Sequence, residues 1–235
     1  MKQILRSVAV AAVFGAATCA LALPMMSSAG AAGTTPSSTK LSASPNAPIA
    51  GQTVTFSAKI VPGVAGAVPT GTVTFTVDAV AQPPVTVTPS TKTLGDGIAT
   101  IGETWTAIGS HTVSAHYSGD GTYAASTSAA PVTVSVSPEP TTVAVSSSLS
   151  PSIVGQAIKL YAKIGMKYKN PLPTGTVTFT IDGVARPPTP ITTGTTHATL
   201  PISTLTHGTH NITAHYNGDS AHLASSSAVF VQTVN

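Results

Sequence analysis

Apolar and polar residues alternate along much of the chain. In one segment the apolar positions, separated by Thr, Ser and Lys, are Val54, Phe56, Ala58 and Ile60. The same period of two recurs at 72–77 and at 112–117. Alternation rich in β-branched residues is typical of antiparallel strands that bury one face. Clusters of Gly, Pro, Asp and Ser separate the segments, so the pattern predicts an all-β fold.

One unit occurs twice in the sequence. The run Pro-Thr-Gly-Thr-Val-Thr-Phe-Thr at 69–76 returns at 173–180, an offset of 104 residues. Further on, His-x-x-x-Ala-His-Tyr at 111–117 returns at 210–216, an offset of 99. The change of five residues indicates a loop of different length, which surface connections tolerate. The repeat therefore predicts one structural unit used twice.

The boundaries of the two units follow from the repeat and from a proline-rich stretch. A chain of 235 residues is comfortable for two domains of about 100 residues each. We predict β-sandwich domains at 36–137 and 141–235, each with about seven short strands. The segment Pro138-Glu139-Pro140 is predicted to be a short, stiff linker, because proline restricts the backbone.

Three motifs of the repeat are shared with a known family. They are the P-T-G-T-V-T-F run, a G-x-A-T segment at 97–100, and G-x-H-x-V/I-x-A-x-Y-x-G-D at 109–120 and 208–219. Their combination resembles the bacterial Ig-like domain repeats of exported and surface proteins. The resemblance covers nearly all of the chain after residue 31. It implies two tandem immunoglobulin-like β-sandwiches with a structural or adhesion role.

The first 31 residues predict a secretory signal peptide. Lys2 and Arg6 precede an apolar stretch, Val8–Leu23, and small residues before position 32 predict cleavage after Ala31. The apolar stretch has 16 residues, whereas a bilayer span needs about 20. We therefore expect a secreted, extracellular or cell-surface protein without a transmembrane anchor in the mature chain.

Cysteine usage agrees with this view of the N-terminal region. Cys19 is the only cysteine, and its lipidation, in a poor lipobox, is the alternative to simple cleavage. After cleavage the chain has no disulfide and no thiol nucleophile, so stability must come from the hydrophobic core. Residues 32–35 are expected to form a flexible N-terminal segment.

Low charge excludes one class of function. Charged residues make up 7% of the chain, against roughly 25% in a typical soluble protein, so a nucleic-acid-binding surface is not expected. Once residues 1–31 are removed, eight basic and seven acidic residues remain. The part from residue 141 onward carries five basic and two acidic residues. The second unit is therefore weakly basic.

Catalytic and cofactor motifs are not found in the sequence. It contains no nucleophile elbow, P-loop, dinucleotide fingerprint or H-E-x-x-H. The acidic residues are mostly paired by the repeat at strand ends and turns, where aspartate bonds nearby backbone amides. We predict no enzyme activity, no catalytic residue and no cofactor.

The histidines of the second unit and the aspartates of the Gly-Asp loops are candidate metal ligands. The second unit contains His197, His207, His210, His215 and His222. His210 and His215 have counterparts in His111 and His116, so we interpret them as fold residues, with an adventitious metal site as the alternative. The Gly-Asp loops of the two repeats offer one carboxylate each, which predicts turns rather than calcium sites. We predict no metal site.

The basic residues of the second unit are the candidate ligand contacts. They are Lys159, Lys163, Lys167, Lys169 and Arg186, with Tyr168 beside them. One interpretation is solvated lysines that also discourage edge-to-edge strand pairing. The alternative is contact with glycans or anionic envelope polymers, with Tyr161 and Tyr168 stacking on sugars. Trp105 is predicted to be a core or end-cap residue rather than a ligand platform.

These observations predict a non-enzymatic protein that serves as a structural spacer or adhesion-type module. Its expected partners are cell-surface proteins or glycans, and no nucleic acid. The alternative function is a binding module for glycans or anionic envelope polymers that uses the basic side of the second unit. Because sandwiches host many functions, fold class does not choose between these hypotheses.

Overall fold

The computed structural model describes residues 35–235, which fold as antiparallel sheets. This confirms the all-β prediction. In this part of the chain, no helix is long and apolar enough to cross a membrane. The predicted signal peptide at 1–31, its cleavage site and the alternative role of Cys19 lie outside the described residues.

The first sandwich, called domain 1, is built from strands that form two sheets. Its strands are β1 (Ser37–Ser44), β2 (Thr53–Pro62), β3 (Thr72–Val77), β4 (Val80–Ala81), β5 (Val85–Thr86), β6 (Thr88–Pro89), β7 (Gly97–Thr104), β8 (Gly109–Tyr117), β9 (Ser126–Thr127) and β10 (Val132–Val136). One sheet has the order β1-β2-β7-β6, and the other has the order β10-β8-β3-β4. The short strands β5 and β9 pair with β3 and β8.

The second sandwich, called domain 2, repeats this arrangement. Its strands are β11 (Thr142–Ser147), β12 (Ile158–Gly165), β13 (Thr176–Ile181), β14 (Val184–Ala185), β15 (Thr189–Pro190), β16 (His197–Ile202), β17 (Gly208–Tyr216), β18 (Ser225–Ser226) and β19 (Phe230–Val234). One sheet has the order β11-β12-β16, and the other has the order β14-β13-β17-β18. β15 pairs with β13, and β19 pairs with β17.

The sequence repeat produces the same strand register in both domains. Val73 of β3 lies opposite Tyr117 of β8, and Val177 of β13 lies opposite Tyr216 of β17. A slip of one residue would turn every buried side chain of a strand to the solvent face. The alternating pattern therefore fixes this register in each copy.

Each domain has its own hydrophobic core between its two sheets. In β2 the four apolar residues identified by alternation are fully buried. The core of domain 1 is completed chiefly by Val73, Phe75, Val113, Ala115, Tyr117 and Val134. The corresponding core of domain 2 contains Leu160, Ala162, Ile164, Val177, Phe179, Ile212, Ala214 and Tyr216. A third, small cluster lies where the chain passes from domain 1 to domain 2.

Candidate functional sites: the basic surface and the interdomain joint

Part of the predicted ligand surface lies on the outer face of β12. Lys159 and Lys163 are exposed and Tyr161 between them is half-buried, while the intervening residues point into the core. His197 lies opposite Lys163, and its ring meets the Tyr161 ring edge-on at 6.4 Å. β12 is the middle strand of its sheet. Lys159 and Lys163 are therefore solvated lysines that do not lie on a free strand edge.

The next three candidate residues lie in the loop after β12. Lys167 and Lys169 are exposed, whereas Tyr168 is half-buried. The Lys167 ammonium group lies 5.2 Å from the centre of the Tyr168 ring, within the range of a cation–π contact. This loop faces domain 1. Part of the Tyr168 side chain therefore contacts another part of the same chain and is not free to contact a ligand.

Arg186 lies apart from these lysines on the segment that follows β14. It borders a shallow depression of about 350 Å³, whose other lining residues include Pro187, Leu200 and Pro201. The Arg186 Nε is buried and has no hydrogen-bond partner within the described part of the chain. The six candidate residues are thus distributed over a strand face, a loop and a depression, and do not form one pocket.

The loop after β12 is anchored by Glu139, which lies in the segment predicted to be a linker. Glu139 has 1% of its surface exposed. Its Oε1 accepts hydrogen bonds from the backbone N–H groups of Lys167 and Tyr168, each at 2.6 Å. Its own backbone pairs with the segment around His222 as an isolated parallel bridge. A charged group is thus buried with partners, as burial of charge requires.

A signal for Glu139 was available in the sequence. In a chain with few charged residues, a single carboxylate between two prolines is unusual. Proline cannot donate a backbone hydrogen bond, so both neighbours leave this strand-like segment short of donors. The sequence pattern did not indicate which distant loop would supply the N–H groups to Glu139.

Apolar contacts complete the joint between the domains. Ala50 and Val136 of domain 1 form a buried cluster with Ala221 of domain 2. Gly51 lies so close to domain 2 that an added Cβ would overlap the carbonyl oxygen of Asn170. We call this set of contacts, together with Glu139 and its loop, the interdomain joint.

Trp105 connects the core of domain 1 to the joint. It packs against the core and against the small joint cluster, which confirms the prediction of a core or end-cap residue. Its ring meets Phe56 edge-on at 6.0 Å and stacks on His111 at 4.5 Å. Such aromatic pairs contribute about 1 kcal/mol beyond the area they bury.

The repeated histidines are held by repeated aspartates. The Nδ1–H of His111 donates to Asp78 at 2.7 Å, and that of His210 donates to Asp182 at 2.6 Å. His210 also donates from Nε2 to the carbonyl oxygen of Thr206 at 3.0 Å. Donation to Asp182, and then to this carbonyl, raises the pKa of His210 because both bonds favour the doubly protonated ring. The hydrogen bond from His210 in turn lowers the pKa of Asp182.

These contacts support the interpretation of the histidines as fold residues. His116 and His215 are exposed, and each bonds through Nδ1 to a hydroxyl on the neighbouring strand. Among residues 35–235, no group of three or more His, Cys, Asp or Glu side chains lies close enough to hold a metal ion.

The Gly-Asp loops are turns stapled by their carboxylates. Asp120 accepts hydrogen bonds from the backbone N–H groups of Thr70, Thr122 and Tyr123 at 2.7 Å each. Asp219 accepts the equivalent bonds in domain 2. Burial by itself would raise the pKa of both aspartates, but these N–H donors outweigh it and hold the pKa far below its ordinary value. The prediction of turns is confirmed.

Comparison with known proteins agrees with the predicted resemblance. The family described as "Bacterial Ig-like domain (group 3)" matches residues 41–137 and 144–235. This confirms the tandem immunoglobulin-like fold class. A search of curated proteins found no significant match.

Several solved structures match this chain at low sequence identity and low TM-score. The fibronectin(III)-like modules of Clostridium thermocellum CbhA are 17% identical, with 83% of this chain and 94% of that chain covered and a TM-score of 0.29. The Escherichia coli adhesin FdeC is 18% identical, with 84% and 64% covered and a TM-score of 0.33. The Yersinia pseudotuberculosis adhesin InvE is 20% identical, with 82% and 58% covered and a TM-score of 0.33. The chain thus spans less than two thirds of either adhesin structure.

Proposed function

This chain belongs to the bacterial Ig-like domain (group 3) family, and we propose that it is a non-enzymatic structural spacer or adhesion-type module at or outside the cell surface. The signal peptide predicted for residues 1–31 supports export. The observation that carries the spacer role is the interdomain joint, where a buried carboxylate and apolar contacts connect the two domains. A spacer has to hold its domains in a fixed relation, and a packed joint does this better than a free linker.

Glu139 is the residue on which this joint depends most. Hydrogen bonds to a charged group stabilise a protein by about 1.5–3 kcal/mol each. Removal of the carboxylate would leave the N–H groups of Lys167 and Tyr168 without their acceptor. The loop that contacts Gly51 would then lose its anchor, and the two domains would gain independent motion.

Relative domain motion tests the spacer proposal directly. We expect ¹⁵N relaxation to give both domains of the wild-type protein the same rotational correlation time. In Glu139→Ala, the two domains should show separate and shorter times, while each still folds. Glu103→Ala removes a carboxylate from β7 that accepts no side-chain hydrogen bond from residues 35–235, and serves as the matched control. Independent tumbling of the wild-type domains would end the spacer proposal.

The alternative is a module that binds glycans or anionic envelope polymers. It is favoured by the face of β12, where Lys159, Tyr161 and Lys163 follow one another on the solvent side. Alternate residues of a strand lie about 6.6 Å apart, a spacing that lets several groups contact one extended polymer. Tyr161 would stack on a sugar ring while the lysines meet its negative charges.

Retention on cell-wall material separates the alternative from the spacer role. The double substitution Lys159→Ala/Lys163→Ala is expected to reduce retention several-fold, whereas Lys167→Ala/Lys169→Ala tests the loop separately. Lys92→Ala removes an exposed lysine of domain 1 and is the control. A wild-type protein that is not retained would exclude the binding function and leave the spacer proposal untouched.

A further inference from the structure

Domain 2 carries a copy of the loop through which domain 1 contacts domain 2, and no other part of residues 35–235 covers this copy. We call residues 49–52 the docking loop of domain 1 and residues 153–156 the docking loop of domain 2. In each, a glutamine Oε1 accepts the backbone N–H three residues earlier, from Ile49 at 3.2 Å and from Ile153 at 3.0 Å. The glycines that precede these glutamines have φ of 79° and 81°. The two loops therefore have the same backbone conformation.

The surroundings of the two docking loops differ. Ala50 is 0% exposed because domain 2 covers it. Its counterpart Val154 is 57% exposed, and the adjacent Ile153 is 62% exposed. A Cβ added to Gly51 would meet Asn170, whereas one added to Gly155 would meet nothing within 4 Å. Two adjacent large apolar side chains at a domain end mark a surface suited to a protein partner.

Domain 1 carries the matching surface at its opposite end. Domain 2 receives the docking loop of domain 1 on the segment 167–170, whose counterpart at the offset of 104 is 63–66. In that segment Val64 is 65% exposed. Beside it lies an open depression of about 320 Å³, lined by Pro62, Ala65, Gly66, Leu94, Gly95 and Asp96. We call residues 62–66 with Leu94 the receiving surface of domain 1.

We propose that a second copy of this chain occupies the docking loop of domain 2 through the receiving surface of its domain 1. The contact repeats, between copies, the loop packing of the interdomain joint but not its carboxylate, because Thr35 bridges to Tyr123 where Glu139 bridges to His222. Its side-chain sizes are complementary. The docking loop of domain 2 has Val154 where domain 1 has Ala50, and the receiving surface has Val64 and Gly66 where domain 2 has Tyr168 and Asn170. A larger residue on one side meets smaller residues on the other.

This contact joins two different surfaces and is therefore heterologous. A heterologous contact whose rotation does not close adds copies head to tail without limit. Interfaces of domain-joint size are small, about 600–1,500 Å², so association is expected at micromolar to millimolar concentration. The proposal goes beyond the spacer function, because a single copy could still act as a spacer if copies never associated.

Sedimentation of the purified mature chain, from which the predicted signal peptide at 1–31 has been cleaved, tests the association. Its weight-average mass should rise with concentration between about 10 μM and about 1 mM. Val154→Asp and Val64→Asp should each hold the mass at that of the monomer, since each places a charge in the contact. Val229→Asp, at a valine of domain 2 that is 60% exposed, is the matched control and should associate like the wild type. All three positions are exposed, so circular dichroism should find every variant folded.

A mixing experiment establishes the head-to-tail geometry. The Val154→Asp variant keeps an intact receiving surface, and the Val64→Asp variant keeps an intact docking loop. An equimolar mixture should therefore form a 1:1 complex that neither variant forms alone. A wild-type protein that stays monomeric at about 1 mM would overturn the proposal. So would an equal loss of association in the control, or dimers that survive Val64→Asp, which would indicate a symmetric contact.

Discussion

The two domains have similar sheets and differ in the contacts that hold the loops at their ends. At the position after the Gly-Asp turn, domain 1 has Tyr123 and domain 2 has His222. Tyr123 donates its hydroxyl to the carbonyl oxygen of Ala67 at 2.6 Å, within its own domain. His222 donates to Asp219 at 2.9 Å and lies beside Glu139 of the joint. The comparison shows that the repeat fixes the core, while the ends of each domain are adapted to what lies next to them.

The His-Asp pair that the repeat places in both domains also differs in its surroundings. In domain 1, Trp105 stacks on His111. In domain 2, the backbone carbonyl of Thr206 accepts a hydrogen bond from His210. One ring is covered by an aromatic side chain, and the other is held by a second polar partner. The two domains therefore respond differently to substitution of this histidine.

The largest expected effect comes from the aspartate that staples the Gly-Asp turn. Asp219→Ala removes the acceptor for Thr174, for two backbone N–H groups of the turn and for the buried ring of His222. We expect domain 2 to lose about 3 kcal/mol or more, because buried donors are left unpaired. Asp120→Ala should destabilise domain 1 somewhat less, since no histidine depends on it. Urea denaturation followed by circular dichroism measures both.

Trp105 allows the two unfolding transitions to be assigned. It is the only tryptophan of the chain and packs against the core of domain 1 and the joint cluster, so its fluorescence reports on domain 1 and the joint rather than on the core of domain 2. Asp219→Ala should move the unfolding transition of domain 2 to lower urea concentration. Circular dichroism should detect this transition, whereas the fluorescence of Trp105 should not follow it. An unchanged second transition in this variant would contradict the view that the turn is stapled by its carboxylate.

A pair of glycine substitutions isolates the contribution of the joint. Gly51→Ala and Gly155→Ala impose the same left-handed backbone on alanine, which costs about 1 kcal/mol. Only at Gly51 does the new methyl group also collide with Asn170 of the other domain. We expect Gly51→Ala to cost about 1–2 kcal/mol more than Gly155→Ala and to separate the rotational correlation times of the domains. Equal free energies of unfolding for the two variants would mean that the joint contributes no stability.

Most of the fold could be predicted from the sequence because its determinants are local and repeated. The alternation in 53–60 identified the buried face of β2, and the Pro-Thr-Gly run located β3 and β13. The turn role of Asp120 followed from its residue type and position. Each of these inferences needs only neighbouring residues and the period of two.

The joint could not be predicted, because it depends on contacts between distant positions. Glu139 meets Lys167 and Tyr168, 28 and 29 residues further along the chain. The grouping of Tyr168 with Lys159 as ligand contacts stays a prediction, but the contact of Tyr168 with domain 1 could not be predicted for the same reason. Proximity in sequence placed them on one surface, whereas the loop after β12 turns Tyr168 toward Gly51. Alternation predicts which face of a strand is buried, but not which loop meets another domain.

The smallest expected effect is a pH dependence of the stability of domain 2. Because the pKa of His210 is raised above its ordinary value of about 6.5, the protonated ring stabilises the folded domain. That stabilisation is complete below about pH 6.5 and is lost as the pH rises through the raised pKa. The pKa of Asp182 is lowered, so this carboxylate stays ionised over the whole range. Between about pH 6 and about pH 9, domain 2 should lose at most about 1 kcal/mol of stability.

Two histidine variants decide whether this dependence belongs to His210. His210→Gln should remove the difference in the urea midpoint of domain 2 between the two pH values. His215→Gln alters an exposed histidine on the same strand, whose partner is the hydroxyl of Ser226, and should leave the difference intact. If His215→Gln instead removes the difference in the urea midpoint, His210 is not the group that causes the pH dependence.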